Sequence, residues 1–249
     1  MSYHPPSHQY QQQLPPPQVS AQNHGSFGPF FYQTMYKDAN TLLKINFPQG
    51  EVITARAGAM VGMSPNIKIE GKMKGLAKLF SSGKMFEQKL IAVGGGPAEV
   101  LLAPRFLGDI LPIVLDGRTQ FNASKGQFLA KTQGVEKITK SQSLGSGFFS
   151  GEGLFIDVFG GQGLLFLQVL GAVHPIDLAP GQEYVIDNGH LVAWETSTRY
   201  CTVQASGFFD SMKSGEGLVC RFTGPGRVYI QTRNPEELKA WITSVVQAQ

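Results

Sequence analysis

The chain has 249 residues, 42% of them apolar, and a formal charge of only +3 at neutral pH. That length and apolar share suffice for a substantial core, while the near-balanced charge supplies no general electrostatic drive toward nucleic acid. Cys201 and Cys220 are too few for a disulfide scaffold and fit a reducing intracellular site.

Residues 1–28 read as a disordered Gln/Pro-rich tail, with Gln11-Gln12-Gln13 and Pro15-Pro16-Pro17 and few large aliphatics to offset the entropy of ordering. The proline triplet has two readings, a solubilising tail or a polyproline ligand for an SH3 or WW domain. Met1 to Tyr36 carry no Lys, Arg, Asp or Glu, so neither a signal-peptide n-region nor an Arg-rich transit peptide is expected there. Gly163 to Val173, the most apolar run, is too short to span a bilayer.

From about Phe30 the pattern becomes short strands rich in β-branched and aromatic residues and separated by glycine turns. Leu42–Phe47, Asn66–Glu70, Glu99–Leu102 and Arg227–Ile230 are examples among roughly 18 such runs. The stretches repeat. Ser150-Gly151-Glu152-Gly153-Leu154 recurs as Ser214-Gly215-Glu216-Gly217-Leu218, and in degenerate form as Ser82-Gly83-Lys84-Met85-Phe86. Each precedes a strand, a glycine turn (Gly94-Gly95-Gly96, Gly161-Gln162-Gly163, Gly224-Pro225-Gly226) and another strand. Gly50, Gly58 and Gly83 keep step with Gly117, Gly126 and Gly151, and with Gly181, Gly189 and Gly215.

Asp116-Gly117 and Asn188-Gly189 read as two-residue hairpin turns requiring positive φ. Pro112 and Pro175 fall in register in the second and third copies. Proline cannot donate to a ladder, so each should lie on an edge strand or begin one. About six short strands per copy make a small antiparallel barrel or jelly roll, and three such units pack in a pseudo-threefold arrangement, as a fused trimer would.

The boundaries follow: repeats at 29–104, 105–170 and 171–233, and a C-terminal helix at 234–249. Asn234 is its N-cap, Pro235 stands at N1, and Glu236 and Glu237 occupy the first turn. Leu238, Trp241, Ile242 and Val245 follow at i, i+3, i+4 and i+7, so this amphipathic helix should dock by one stripe.

Gly108-Asp109-Ile110, the two Ser-Gly-Glu-Gly-Leu turns, Gly224-Pro225-Gly226 and Gln231-Thr232-Arg233 resemble the altered-inheritance-of-mitochondria protein 24 family, also described as tryptophan-RNA-binding-attenuator-like. The likeness runs from about Phe30 to Arg233. It implies an all-β fold of three tandem short double-stranded β-helix units in a pseudo-trimer. It also implies a poorly defined role with a mitochondrial association in fungal members. The first copy departs from the pattern with Lys84-Met85 in place of Glu-Gly. The expected location is intracellular: the mitochondrion by the resemblance, or the cytoplasm if the lack of a transit-peptide pattern is decisive.

No constellation reads as a catalytic centre, metal site or cofactor site. His174 and His190 share one copy without the spacing of a cupin-type His/Glu set, and read as polar residues at strand ends. Cys201 and Cys220 sit in strand-like runs with no base placed beside them. Glu152 and Glu216 hold equivalent turn positions, which suits capping better than acid–base work. Gly94-Gly95-Gly96 and Gly145-Ser146-Gly147 lack the Lys-Ser/Thr of a phosphate loop.

The candidate contact surface is different. Lys72, Lys74 and Lys78 flank an apolar stripe of Met73, Leu76, Ala77 and Phe80, inside a stretch from Lys68 to Lys89 with six Lys and two Glu. The matching positions hold Phe148-Phe149 and Phe208-Phe209. These either cap the barrel ends from inside or form one apolar loop end facing an anionic membrane surface or a protein partner. The expectation is a non-enzymatic binding or scaffold protein, with homo-oligomerisation open. The other reading is a small-ligand or RNA-binding β-barrel like the attenuator relative.

Overall fold

The computed structural model describes residues 23–37, 39–71, 86–141, 155–204 and 218–247. A leading hairpin, β1 (His24–Phe27) and β2 (Phe30–Met35), precedes three strand units. The first holds β3 (Leu42–Phe47), β4 (Val52–Arg56), β5 (Met60–Met63), β6 (Ile67–Gly71), β7 (Glu87–Ala92) and β8 (Ala98–Leu102). The second holds β9 (Gly108–Asp116), β10 (Phe121–Ser124), β11 (Phe128–Thr132), β12 (Val135–Ser141) and the long β13 (Phe155–Leu170). The third holds β14 (Val173–Leu178), β15 (Glu183–Asp187), β16 (Leu191–Glu195), β17 (Arg199–Gln204), β18 (Leu218–Thr223) and β19 (Gly226–Gln231). Helix α1 (Pro235–Gln247) ends the described chain.

One antiparallel pairing order recurs. In the first unit β3 and β5 flank β8, while β4 and β6 flank β7. In the third, β14 and β16 flank β19, while β15 and β17 flank β18. The second unit fuses its last two strands into β13. The N-terminal half of β13 pairs with β10 and β12, and its C-terminal half with β9 and β11. The handover falls at Gly161-Gln162-Gly163, where Gly163 has φ +147° and a Cβ would lie 2.2 Å from the Thr132 hydroxyl. The sequence reads this segment as a turn; here it is a bend inside one strand.

The prolines explain a difference between units. Pro112 and Pro175 stand opposite Phe166 and Tyr229, on β9 and β14, each of which forms a ladder with one strand only among the described residues. The equivalent residue in the first unit is Lys44, opposite Leu101. With an N–H restored there, β3 accepts β2 on its second side, Lys44 opposite Gln33.

Three sequence expectations change. The stretch 1–28 read as tail contains β1, whose Gly25 faces Tyr32 in the β2 ladder; residues 1–22 lie outside the described residues. Asp116-Gly117 joins β9 to β10, which do not pair with each other, so it is a link between sheets, although Gly117 does have positive φ at +89°. Asn188-Gly189 sits in a short 3-10 turn capped by Asp187, whose carboxylate accepts the Gly189 N–H at 2.7 Å. Glycine is needed there because a Cβ would lie 2.4 Å from the Asn234 amide nitrogen.

The cores cross the unit boundaries. The first buries Leu43, Ile45, Phe47 and Val100 together with Leu129, Ala130, Leu164 and Phe166 of the second unit. The second buries Phe121, Phe128 and Phe159 together with Val192, Ala193 and Tyr229 of the third. The third gathers Trp194, Phe222, Ile186 and Cys220, with Ile156 from the second unit.

Helix α1 begins as its sequence dictates, with the Asn234 side chain accepting the Glu236 N–H at 2.9 Å. Its docking does not follow. None of its residues is buried, and Trp241 is 65% exposed with Ile242, Val245 and Val246 beside it. The helix follows β19 after a short link; Leu238 is half-buried, while Trp241, Ile242, Val245 and Val246 stay exposed.

Candidate functional site

Lys72, Lys74, Lys78, Phe80, Phe148, Phe149, Phe208 and Phe209 lie outside the described residues, as do Glu152 and Glu216. Their anchoring strands are described. The segments 72–85, 142–154 and 205–217 join β6 to β7, β12 to β13 and β17 to β18, which are equivalent hairpins of the three units. The strand ends carrying these segments therefore correspond.

The motif residues act as clasps. Buried Asp109 accepts from the Thr41 hydroxyl at 2.9 Å and the Ile110 N–H at 2.7 Å, with the Lys37 ammonium 3.4 Å away, tying the first unit to the second. Gln231 donates to the Gly189 carbonyl at 3.0 Å and accepts from the Leu170 N–H at 3.1 Å. Gln168 holds the Gly126 carbonyl in the same manner and accepts from the Arg105 N–H at 2.9 Å. In the first unit Ala103 replaces that glutamine, and the buried Arg56 guanidinium donates to the carbonyls of Ala57 and Ala103. These polar groups are largely committed to the backbone.

The strongest charge cluster lies where the first two units meet. Lys137 stands 3.2 Å from both Glu87 and Asp157, over the Phe128 ring at 5.0 Å from its centroid. Lys131 donates to the Val135 carbonyl, and burial pulls its ammonium below the usual lysine range. Within the third unit Arg227 binds Asp177 in a fork, which draws the Asp177 carboxyl downward. Beside it burial raises the Glu195 carboxyl, whose Oε1 has no hydrogen-bond partner among the described residues. Each cluster spans paired strands, as interface chemistry does; neither opens onto a deep cavity.

The best-formed concavity, about 130 Å³, lies between Pro104, Phe106, Lys125, Gln127, Leu170 and Pro235. Drug-sized ligands occupy about 300–1,000 Å³, so it suits no more than a small fragment. His190 shares a 2.7 Å hydrogen bond with the Gln231 carbonyl, while His174 is exposed on β14. Cys220 is buried and its thiol is pushed up to about 11 by burial, the behaviour of a packing residue; Cys201 is exposed. Among the described residues no three His, Cys, Asp or Glu side chains gather as metal ligands.

Sequence reasoning missed the exposed stripe of α1. Periodicity reports which face of a helix is apolar, not what covers it. It also missed the side chains passed between cores, since Leu129 and Phe166 look like ordinary strand residues.

A crystal structure of a Streptococcus pyogenes protein superposes on this fold with a TM-score of 0.71, at 28% identity, covering 87% of this chain and 99% of that one. An uncharacterised protein of Streptococcus pyogenes serotype M6 is 32% identical over 209 residues, 79% of this chain and 83% of its own. The sequence model of the mitochondrial biogenesis AIM24 family matches residues 32–233, and this chain belongs to that family.

Proposed function

We propose that the chain is a non-enzymatic scaffold that binds a protein partner through α1 and serves mitochondrial organisation. The exposed apolar residues Trp241, Ile242, Val245 and Val246, next to the half-buried Leu238, carry this reading. Their spacing is that of a helix laid into an apolar groove, and Trp is among the commonest anchors of such contacts. Glu236 and Glu237 against Lys239 give the helix an acidic lean, which favours a groove over an anionic lipid surface. The body supplies a rigid platform of three short double-stranded β-helix units in a pseudo-trimer.

The family name supports the mitochondrial setting. A Streptococcus pyogenes protein shares the fold, which fits a general binding role used in different compartments. Lys72, Lys74, Lys78, Phe80, Phe148, Phe149, Phe208 and Phe209 remain candidates for a second contact on sequence grounds alone. The small concavity and near-balanced charge give less support to a small-ligand or RNA-binding barrel.

The test places a photo-crosslinking amino acid at Trp241 in the full chain, in cells. A discrete protein adduct that recurs with the purified partner and disappears with Ile242→Glu supports the proposal. Adducts to lipid alone, or none, overturn it.

A further inference from the structure

One concavity sits where three parts of the chain converge. Pro104 and Phe106 reach it from the link between β8 and β9, Lys125 and Gln127 from the turn between β10 and β11, and Pro235 from the first turn of α1. Pro235 thus joins the concavity to the helix whose Trp241, Ile242, Val245 and Val246 are exposed. Leu238, one turn after Pro235, is half-buried. A partner that covers the start of α1 therefore meets the concavity as well.

The interior suits an apolar guest of limited size. A dry cavity of about 150 Å³ holds a benzene ring, so a volume of about 130 Å³ receives one side chain of leucine size. The deepest lining residues are Val169 and Leu170, both buried. Two lining glutamines are already committed to the backbone. Gln168 donates to the Gly126 carbonyl and accepts the Arg105 N–H, and Gln231 donates to the Gly189 carbonyl and accepts the Leu170 N–H. A polar guest would have to displace these bonds, whereas an aliphatic one leaves them intact and covers Phe106, Leu170 and Pro235.

The rim is cationic. Lys125 is exposed on one wall, and the exposed Arg105 holds its guanidinium carbon 5.5 Å from the ring centroid of Phe106, the opposing apolar element. No Asp or Glu is among the described residues that line the concavity. An apolar seat with cations at its mouth selects an aliphatic group that has a carboxylate beside it. We propose that the partner engaged by α1 seats one leucine-sized side chain in this concavity and sets an adjacent carboxylate against Lys125 and Arg105. The proposal rests on the reading of α1 as a partner-binding helix and gives the bound segment its chemistry, an acidic stretch around a single aliphatic anchor. The helix supplies most of the contact area, and the concavity fixes the register of the partner along it. Because both belong to one chain, the second contact forms at high effective concentration once the first is made.

Two measurements on the full chain test it. The first titrates 4-methylpentanoate, a leucine side chain bearing a carboxylate, and follows the methyl resonances of Val169 and Leu170. Saturable shifts in the millimolar range are expected. They should weaken at least fivefold with the neutral amide of the same acid or with Lys125→Glu, and vanish with Phe106→Asp, both substitutions lying at exposed positions. No saturable shift, or equal affinity for the amide, overturns the inference. The second places the photo-crosslinking amino acid at Phe106 in cells. The protein captured there should be the one captured from Trp241, joined through an acidic stretch around an aliphatic residue. Its yield should fall about tenfold with Lys125→Glu and return with Lys125→Arg. A protein captured from Trp241 but not from Phe106, or captured at Phe106 regardless of Lys125→Glu, overturns the inference and leaves the helix reading intact. No protein adduct at Trp241 overturns both.

Discussion

The ammonium of Lys137 lies 3.2 Å from the Asp157 carboxylate, with side chains only 15% and 7% exposed. Removing the cation leaves a buried carboxylate without that counter-charge. Lys137→Met should therefore cost about 3 kcal/mol. Adding Asp157→Asn should return part of the loss, which urea denaturation of the four proteins in the cycle measures.

Alkaline stability depends on Cys220. Burial raises its thiol to about 11 in the folded chain, above the ordinary thiol value. A raised folded pKa gives stability that is whole below the unfolded pKa and is lost as pH climbs through the folded one. Stability should fall between about pH 9 and 11 by roughly 2–3 kcal/mol from this group. Cys220→Ala should flatten that stretch of the profile, at some constant loss of packing.

Gly163 and Gly126 both have positive φ, at +147° and +96°, but only Gly163 faces an obstacle, the Thr132 hydroxyl. Gly126→Ala should cost about 1–2 kcal/mol, from backbone strain alone. Gly163→Ala should cost clearly more, because the same hydroxyl accepts the Leu164 N–H at 3.0 Å and cannot yield freely. Paired thermal melts decide it.

Helix α1 buries none of its residues. Deleting residues 236–249 should change unfolding free energy by less than about 1 kcal/mol. Acrylamide should quench Trp241 readily and Trp194, which is fully buried, hardly at all.

The all-β character and the C-terminal helix were legible in the sequence from strand alternation, turn residues and the Asn234-Pro235 start, and Pro112 and Pro175 identified edge strands. What stayed hidden was relational. Nothing in Leu129 or Val61 distinguishes a side chain that enters a neighbour's core from one left in solvent. Nothing in the α1 stripe says that most of it stays exposed. The Asn-Gly dipeptide at 188–189 misled because Asp187 captures the turn and Asn234 fills the space beside it. The candidate contact residues from Lys72 to Phe209 fall in segments whose anchoring hairpins alone are described.

The first core has a consequence for synthesis. It closes around Leu129, Leu164 and Phe166, so the N-terminal unit cannot be finished when its own last strand leaves the ribosome. Some sixty further residues must emerge before Phe166 arrives. Nascent chains halted before that point should present an unfilled apolar seat and be held by chaperones, making the middle unit the timekeeper of the whole chain's maturation.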